Sequence, residues 1–317
     1  LIASLRAEGS VRIAIMGSGG VGGYFGARLV QGGADVHFIA RRAHLAAMRE
    51  RGLAIEGGPQ PIHLPKVRVS DEAKTIGPVD VVMFCVKLWD TEIAARQLRP
   101  LMQSETAVIS FQNGVQKDDM LRPIVGEKAL VGGVAYVGTT IGRPGVIVQT
   151  GSVERLVFGE YDGRRSARVD AFYAACRRGG INAEISEDIR RSIWEKYVSL
   201  VAMSGATTSM RQTIGPIRSN PLTRQLLLDL AREVVAVGRA YGVKLPEDYA
   251  EQRMPFVDAW PPEMTTSMHH DLQQGKPLEL RWLSGGVVDL GAAVGVPTPM
   301  NRAVRDILTL HADGAQA

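Results

Sequence analysis

A glycine loop between a strand and a helix, close to the start of the chain, constrains this sequence more than any other feature. Val11–Met16 is a short β-rich apolar run, Gly17–Gly23 is the loop, and Val21–Gln31 has helical character that Gly32–Gly33 ends. Ala34–Ala40 then reads as a second short strand. Within the loop, Gly17, Gly19 and Gly22 form G-x-G-x-x-G. With 35 glycines in the chain the spacing alone is weak, and its meaning comes from the strand–loop–helix–strand context. There Gly17 permits the tight turn, Gly19 lets a pyrophosphate approach the backbone, and Gly22 lets helix and strand pack closely. The helix N-terminus adds N–H donors. The alternative is an ordinary glycine-rich turn.

The end of the second strand bears on which dinucleotide is expected. A site for NAD usually carries Asp or Glu about 20 residues past the loop, bonded to the ribose 2′-OH. Here His37-Phe38-Ile39-Ala40 runs into Arg41–Arg42, with no carboxylate. Arg41 suits the 2′-phosphate of NADP through charge-assisted hydrogen bonds. A solvated arginine pair opening a helix is the alternative.

Further along, Val79–Val86 is a continuous apolar run, as a strand buried on both faces of a parallel sheet requires. Thr106–Phe111 and Ala129–Val137 are similar, with helical segments between. This alternation predicts a doubly wound parallel sheet of the Rossmann type, an α/β fold. Pro144–Gly145 reads as a turn, and Val146–Val148 and Arg155–Phe158 as short strands, a hairpin finishing the first domain. After about residue 187 no strand run remains, and helices are expected over Asp188–Met210, Pro221–Tyr241 and Leu278–Val294. The expected domains are therefore 1–187, binding NADP, and 188–317, an all-α domain for substrate and catalysis.

The length of 317 residues suits two such domains, and 45% apolar with 22% charged residues is ordinary for a globular chain. A net charge of +4 suits a polyanionic cofactor, but no run of five basic residues indicates nucleic-acid binding. Cys85 and Cys176 cannot build a disulfide framework or a four-cysteine metal site. No apolar run reaches transmembrane length. A cytoplasmic protein with no membrane or nucleic-acid partner is expected, with a homodimer left open. Residues 1–10 lack a signal peptide's apolar core and read as a short leader.

Several short motifs follow the loop segment GSGGVGGYFGARL. CVK ends at Lys87, QNG spans Gln112–Gly114, and IWEKYV contains Lys196. TSMHHDL carries Ser267 and Asp271, LELRWLSGG carries Glu279 and Gly285, and GVPTPMN spans Gly295–Asn301. Each is weak alone. Their order and spacing resemble the ketopantoate reductase (2-dehydropantoate 2-reductase) family over almost the whole chain. The resemblance implies a helical second domain related to that of 6-phosphogluconate dehydrogenase, an active site in the cleft between the domains, and reduction of ketopantoate by NADPH. By position it implies that Lys196 is the catalytic lysine and Glu279 the motif glutamate. It also implies that Ser267 binds substrate and that Lys87 and Asn113 lie near nicotinamide and substrate.

The chemistry of these residues can be read separately. Hydride transfer to a ketone leaves an oxyanion, which a lysine ammonium can stabilise and protonate. At roughly 100° per residue, Arg191, Ser192, Glu195 and Ser199 share one polar side of their helix. Lys196 falls outside that side, beside Ile189, Ile193, Leu200 and Met203. Partial desolvation there would make it a stronger acid. On helix geometry alone a snorkelling surface lysine is preferred, and the motif reverses that preference. Glu279 is expected to begin a helix after Gly275-Lys276-Pro277, where the dipole alone would favour it. Ser267 reads equally as a turn serine. Lys87 and Asn113 each follow the carboxyl end of a predicted parallel strand, where open α/β sheets bind ligands. Lys87 also reads as a simple strand-end charge. His269–His270–Asp271 lacks a third placed ligand for a metal, and no metal site is expected. Trp194, Trp260 and Trp282 read as packing residues.

One departure from the family bears on the substrate. Four and eight residues after the lysine, where the family carries asparagines, stand Leu200 and Ser204. Both are expected on the lysine's side of the helix, with Ser204 a shorter-reaching substrate-binding group. The leading expectation is reduction of a 2-oxo acid. An opine-type dehydrogenase acting on an imine and a non-catalytic NADP-binding redox sensor are the alternatives.

Overall fold

A computed structural model describes residues 10–315. The leader expected over residues 1–10 lies, apart from Ser10, outside the described residues. The chain divides into two compact units. One holds the chain up to Asn113 together with Lys117–Ile189, and the other holds Gly114–Gln116 and the chain from Arg190 onward.

The first unit is built on one sheet. Its strands are β1 (Arg12–Met16), β2 (Asp35–Ile39), β3 (Leu53–Gly57), β4 (Ile62–Leu64), β5 (Arg68–Ser70), β6 (Val81–Phe84), β7 (Ala107–Ser110), β8 (Leu130–Arg143), β9 (Val146–Gly159) and β10 (Ala183–Ile185). The order across the sheet is β4-β3-β9-β8-β7-β6-β1-β2-β5, with β10 paired to β9. From β8 to β5 every neighbouring pair is parallel, whereas β3–β4 and β8–β9 are antiparallel. Helices α1 (Gly20–Gln31), α2 (Arg42–Arg51), α3 (Thr91–Arg96), α4 (Lys117–Val125) and α5 (Ala167–Arg178) connect the strands. Alternate residues of β1 enter different cores. Ile13 and Ile15 pack with Phe25 and Phe38, while Ala14 and Met16 pack with Phe84 and Leu121. Burial on both faces is why the central strands are continuously apolar.

The second unit is helical: α6 (Ile189–Met210), α7 (Ile214–Ser219), α8 (Pro221–Ala240), α9 (Tyr249–Ala259), α10 (Ser267–Gln273), α11 (Ser284–Val294) and α12 (Pro299–Leu308). Its core joins Trp194, Tyr197 and Val201 of α6 to Leu230 and Val234 of α8, Val287 of α11 and Val304 of α12. Trp194 stacks on Tyr241 at 6.1 Å between ring centroids. Among the described residues, no helix is long and apolar enough to cross a membrane.

Three local expectations need correction. Val146–Val148 and Arg155–Phe158 are the two ends of one strand, β9, which pairs with β8 across the Pro144–Gly145 turn, with a register shift between Val137 and Gly138. That hairpin does not finish its unit, because α5 and β10 follow within it. The helix expected over Leu278–Val294 is broken. Glu279–Arg281 is a single 3₁₀ turn and α11 begins at Ser284. Leu283 interrupts the helix with non-helical backbone (φ −92°, ψ −107°). The buried Tyr197 hydroxyl lies 2.7 Å from the Trp282 carbonyl and 3.0 Å from that of Leu283, which also accepts from the Val287 N–H.

Candidate active site

In the first unit β2 and β5 lie on one side of β1 and β6, β7 and β8 on the other, while β3 and β4 cross to the far edge beyond β9. The order thus reverses beside β1, and ligands of open α/β sheets bind outside the carboxyl ends at such a point. The glycine loop leaves β1 there. Gly17 has φ +96°, and a Cβ on it would meet the backbone of Val86, after β6, at 2.8 Å. A Cβ on Gly22 would lie 2.2 Å from the Gly17 carbonyl. Both positions therefore require glycine. A Cβ on Gly19 would meet nothing within 4 Å, so the loop is open there. The first intrahelical bond of α1 runs from Gly23 N–H to the Gly19 carbonyl at 2.7 Å. The preceding N–H groups form the anion-binding end of the helix.

Arg41 is the exposed N-cap of α2, directly beyond β2, and Arg42 follows with φ +53°. Lys87 and Asn113 are half-buried beyond β6 and β7. Lys87 Nζ sits 5.5 Å from the Trp89 ring centre. Gln112 ties their two loops together. Its amide nitrogen donates to the Val86 carbonyl at 3.0 Å and to Thr91 Oγ1 at 2.8 Å, and its oxygen accepts from Ser110 Oγ at 3.0 Å. Gln112 was visible in sequence as part of QNG, but nothing there assigned it this clip. Burial pushes the Cys85 thiol, after β6, up to about 12, so it is no thiolate nucleophile.

In the second unit Lys196 is half-buried on α6, at the rim of an arc that includes buried Ile193 and Met203. The opposite rim carries the Arg191–Glu195 ion pair at 2.8 Å. Four-residue steps lead from Lys196 to half-buried Leu200, which packs against the helical core, and then to fully buried Ser204. Thr207 and Ser209 bond their hydroxyls back to Met203 and Gly205 carbonyls. Ser204 Oγ and Thr208 Oγ1 are instead buried with no hydrogen-bond partner. Ser267 is the exposed first residue of α10, following the N-cap Thr266. That end of α10 is anchored to α6, because His269 Nδ1 donates to the Thr207 carbonyl at 2.8 Å and the Thr207 and Thr266 hydroxyls meet at 3.3 Å. Glu279 is buried at the start of the 3₁₀ turn, not in an α-helical first turn as expected. Among the described residues, no group of His, Cys, Asp and Glu is arranged to hold a metal ion.

Two family models cover most of the sequence. Ketopantoate reductase PanE/ApbA matches residues 13–163, and Ketopantoate reductase PanE/ApbA C terminal matches residues 188–312. The chain belongs to the ketopantoate reductase family. It is 30% identical over 316 residues to a 2-dehydropantoate 2-reductase of Mesorhizobium japonicum, covering 93% of this chain and 95% of that protein. It is 28% identical to the uncharacterized oxidoreductase YkpB of Bacillus subtilis, covering 95% and 99%. The solved 2-dehydropantoate 2-reductase of Geobacter metallireducens matches with TM-score 0.88 and 29% identity, over 95% of this chain and 99% of that one. A D-mandelate dehydrogenase solved with NADH shares the fold at TM-score 0.86 and 20% identity, over 95% and 97%. This ketopantoate reductase family member is thus an oxidoreductase acting on a CH–OH group, with a parallel-dominated α/β unit followed by a helical one.

Proposed function

We propose that the protein reduces a 2-oxo acid to its 2-hydroxy acid with NADPH, with ketopantoate as the first candidate substrate. In this reading residues 1–187 hold the cofactor and 188–317 the substrate, in a cytoplasmic enzyme. The observation that carries the cofactor choice is Arg41, exposed at the end of β2 where an NAD site places a carboxylate. The residues fit a dinucleotide. The N–H groups of Gly19, Gly20 and Val21 would take the pyrophosphate, Arg41 the 2′-phosphate, and Lys87 and Asn113 the nicotinamide side. A bound reduced nicotinamide supplies the hydride.

Lys196 is the proposed general acid. Its ammonium stabilises the developing alkoxide and transfers a proton to that oxygen, leaving the hydroxy acid. Partial burial strengthens its hydrogen bond to the carbonyl oxygen. Glu279 is the second acid–base group and Ser267 a donor to the substrate carboxylate. The relatives' names support ketopantoate, but core-packed Leu200 and fully buried Ser204 leave the helix beyond Lys196 without the amides that could hold a substrate hydroxyl there. A site bonded firmly to a substrate hydroxyl rejects the deoxy analogue strongly, since its own buried groups are then unpaired. Weak selectivity is therefore expected here, with apolar branched 2-oxo acids as competent as ketopantoate. The test is NADPH consumption across a panel of 2-oxo acids with and without added amines, including ketopantoate and its deoxy analogue. No turnover on any 2-oxo acid removes the proposal. A preference for ketopantoate above about 10³-fold would show the hydroxyl to be firmly held and refute the reading of Leu200 and Ser204.

A further inference from the structure

His44, in the first turns of α2, touches the glycine loop with one ring nitrogen and the β8–β9 turn with the other. Its Nε2 lies 2.9 Å from the Ser18 carbonyl, and the Gly145 N–H points at Nδ1 from 3.1 Å. A backbone N–H can only donate, so Nδ1 accepts. The ring proton therefore sits on Nε2, which donates to Ser18. The second contact thus sets the tautomer that the first needs. The β8–β9 turn is itself held, since the Gly145 carbonyl accepts from Ala54 of β3 at 3.0 Å.

Ser18 is fixed from its other side by β2. Its N–H and its hydroxyl both bond the Ile39 carbonyl, at 3.1 and 3.0 Å. With its N–H and hydroxyl held by β2 and its carbonyl by His44, the orientation of the Ser18–Gly19 peptide is determined. A trans peptide is planar, with N–H and C=O pointing in opposite directions. Turning the Ser18 carbonyl toward α2 therefore turns the Gly19 N–H away from it, to the end of α1 that attracts anions.

We propose that His44 is a positioning residue for the cofactor's pyrophosphate, holding the Ser18–Gly19 peptide so that the Gly19 N–H faces the anion. This rests on the dinucleotide reading above. The same turn of α2 then serves both phosphates, with Arg41 at the 2′-phosphate and His44, three residues on, behind the pyrophosphate loop.

The test compares the affinities of NADPH and 2′-AMP by calorimetry in the parent, His44→Asn and His44→Gln. 2′-AMP keeps the phosphate that Arg41 would bind and lacks the pyrophosphate. An Asn side chain reaches as far as Nδ1 and can keep the Gly145 bond, whereas a Gln amide reaches as far as Nε2 and can donate to Ser18. The expected result is NADPH Kd raised roughly 10- to 100-fold in His44→Asn, the range of a lost charge-assisted bond. 2′-AMP binding should be unchanged in that variant, and NADPH binding close to parental in His44→Gln. Equal weakening of both ligands in His44→Asn would mean a general structural role and overturn the proposal. So would a His44→Gln variant as weak as His44→Asn, or no loss in either. A parent protein that binds neither ligand would remove the cofactor reading itself, a result distinct from all of these.

Discussion

Replacing Gln112 by Leu should destabilise the first unit by about 2–4 kcal/mol and loosen the site at the same time. Gln112 is buried, 7% exposed, and makes three side-chain hydrogen bonds. The Val86 carbonyl can only accept, so the amide NH₂ must face it and the amide oxygen must face Ser110. Leucine is of similar volume, which keeps the cavity contribution small. What remains is the cost of partners left unmatched in a water-poor site, about 1–3 kcal/mol each before relaxation. Relaxation and access of water to the Val86 side reduce the sum to the quoted range. For a unit of this size the melting temperature should fall by roughly 5–15 °C. Because Val86 precedes Lys87 and Gln112 precedes Asn113, KM for NADPH should also rise. Gln112→Glu separates the bonds, since a carboxylate still accepts from Ser110 but opposes the Val86 carbonyl with a second acceptor. The assay is urea unfolding with steady-state kinetics on the same preparations. A loss below about 0.5 kcal/mol for Gln112→Leu with unchanged KM would refute the clip, placing the substitution among ordinary surface changes.

Arg41→Ala should weaken NADPH by roughly tenfold or more while leaving NADH nearly unaffected, because only the 2′-phosphate is lost as a partner; equal parental affinities for the two cofactors would contradict the assignment. Lys196→Ala should lower kcat by about 10²–10⁴ with NADPH affinity unchanged, and a variant keeping most of its kcat would move the acid role to Glu279. His44 also gives a pH dependence of stability. Burial lowers its pKa from 6.5, with the Ser18 bond opposing, so below 6.5 the unfolded chain takes up a proton that the folded chain resists. The stabilisation is fully present above 6.5 and is lost as pH falls toward the folded value. Thermal melts from pH 8 to pH 5 should therefore fall more steeply for the parent than for His44→Gln, and parallel curves would exclude the effect.

The sequence by itself determined the features whose cause is local. β1, the glycine loop, α1 and β2 were legible because each depends on neighbours a few residues away: an apolar run, a turn needing positive φ, a helix that must start close to a strand. Arg41 could be placed for the same reason, since the length of one β–α–β step fixes where β2 ends. The edge strands were not legible. β5 is only Arg68–Ser70, with Arg68 exposed and the other two half-buried, and so short a strand shows no apolar period. β3 is held in the sheet by β9, which is far later in the chain, and β4 by β3. Other features depend on groups far apart in the chain. The Tyr197 hydroxyl meets a carbonyl 85 residues later, just before α11, and the His44 tautomer is set by a glycine 101 residues later. Hydrogen bonds of this kind are set by where the chain returns in space. No pattern of periodicity or spacing encodes them, and only the tertiary structure decided that a histidine on α2 and a glutamine after β7 would brace the loops on which the site depends.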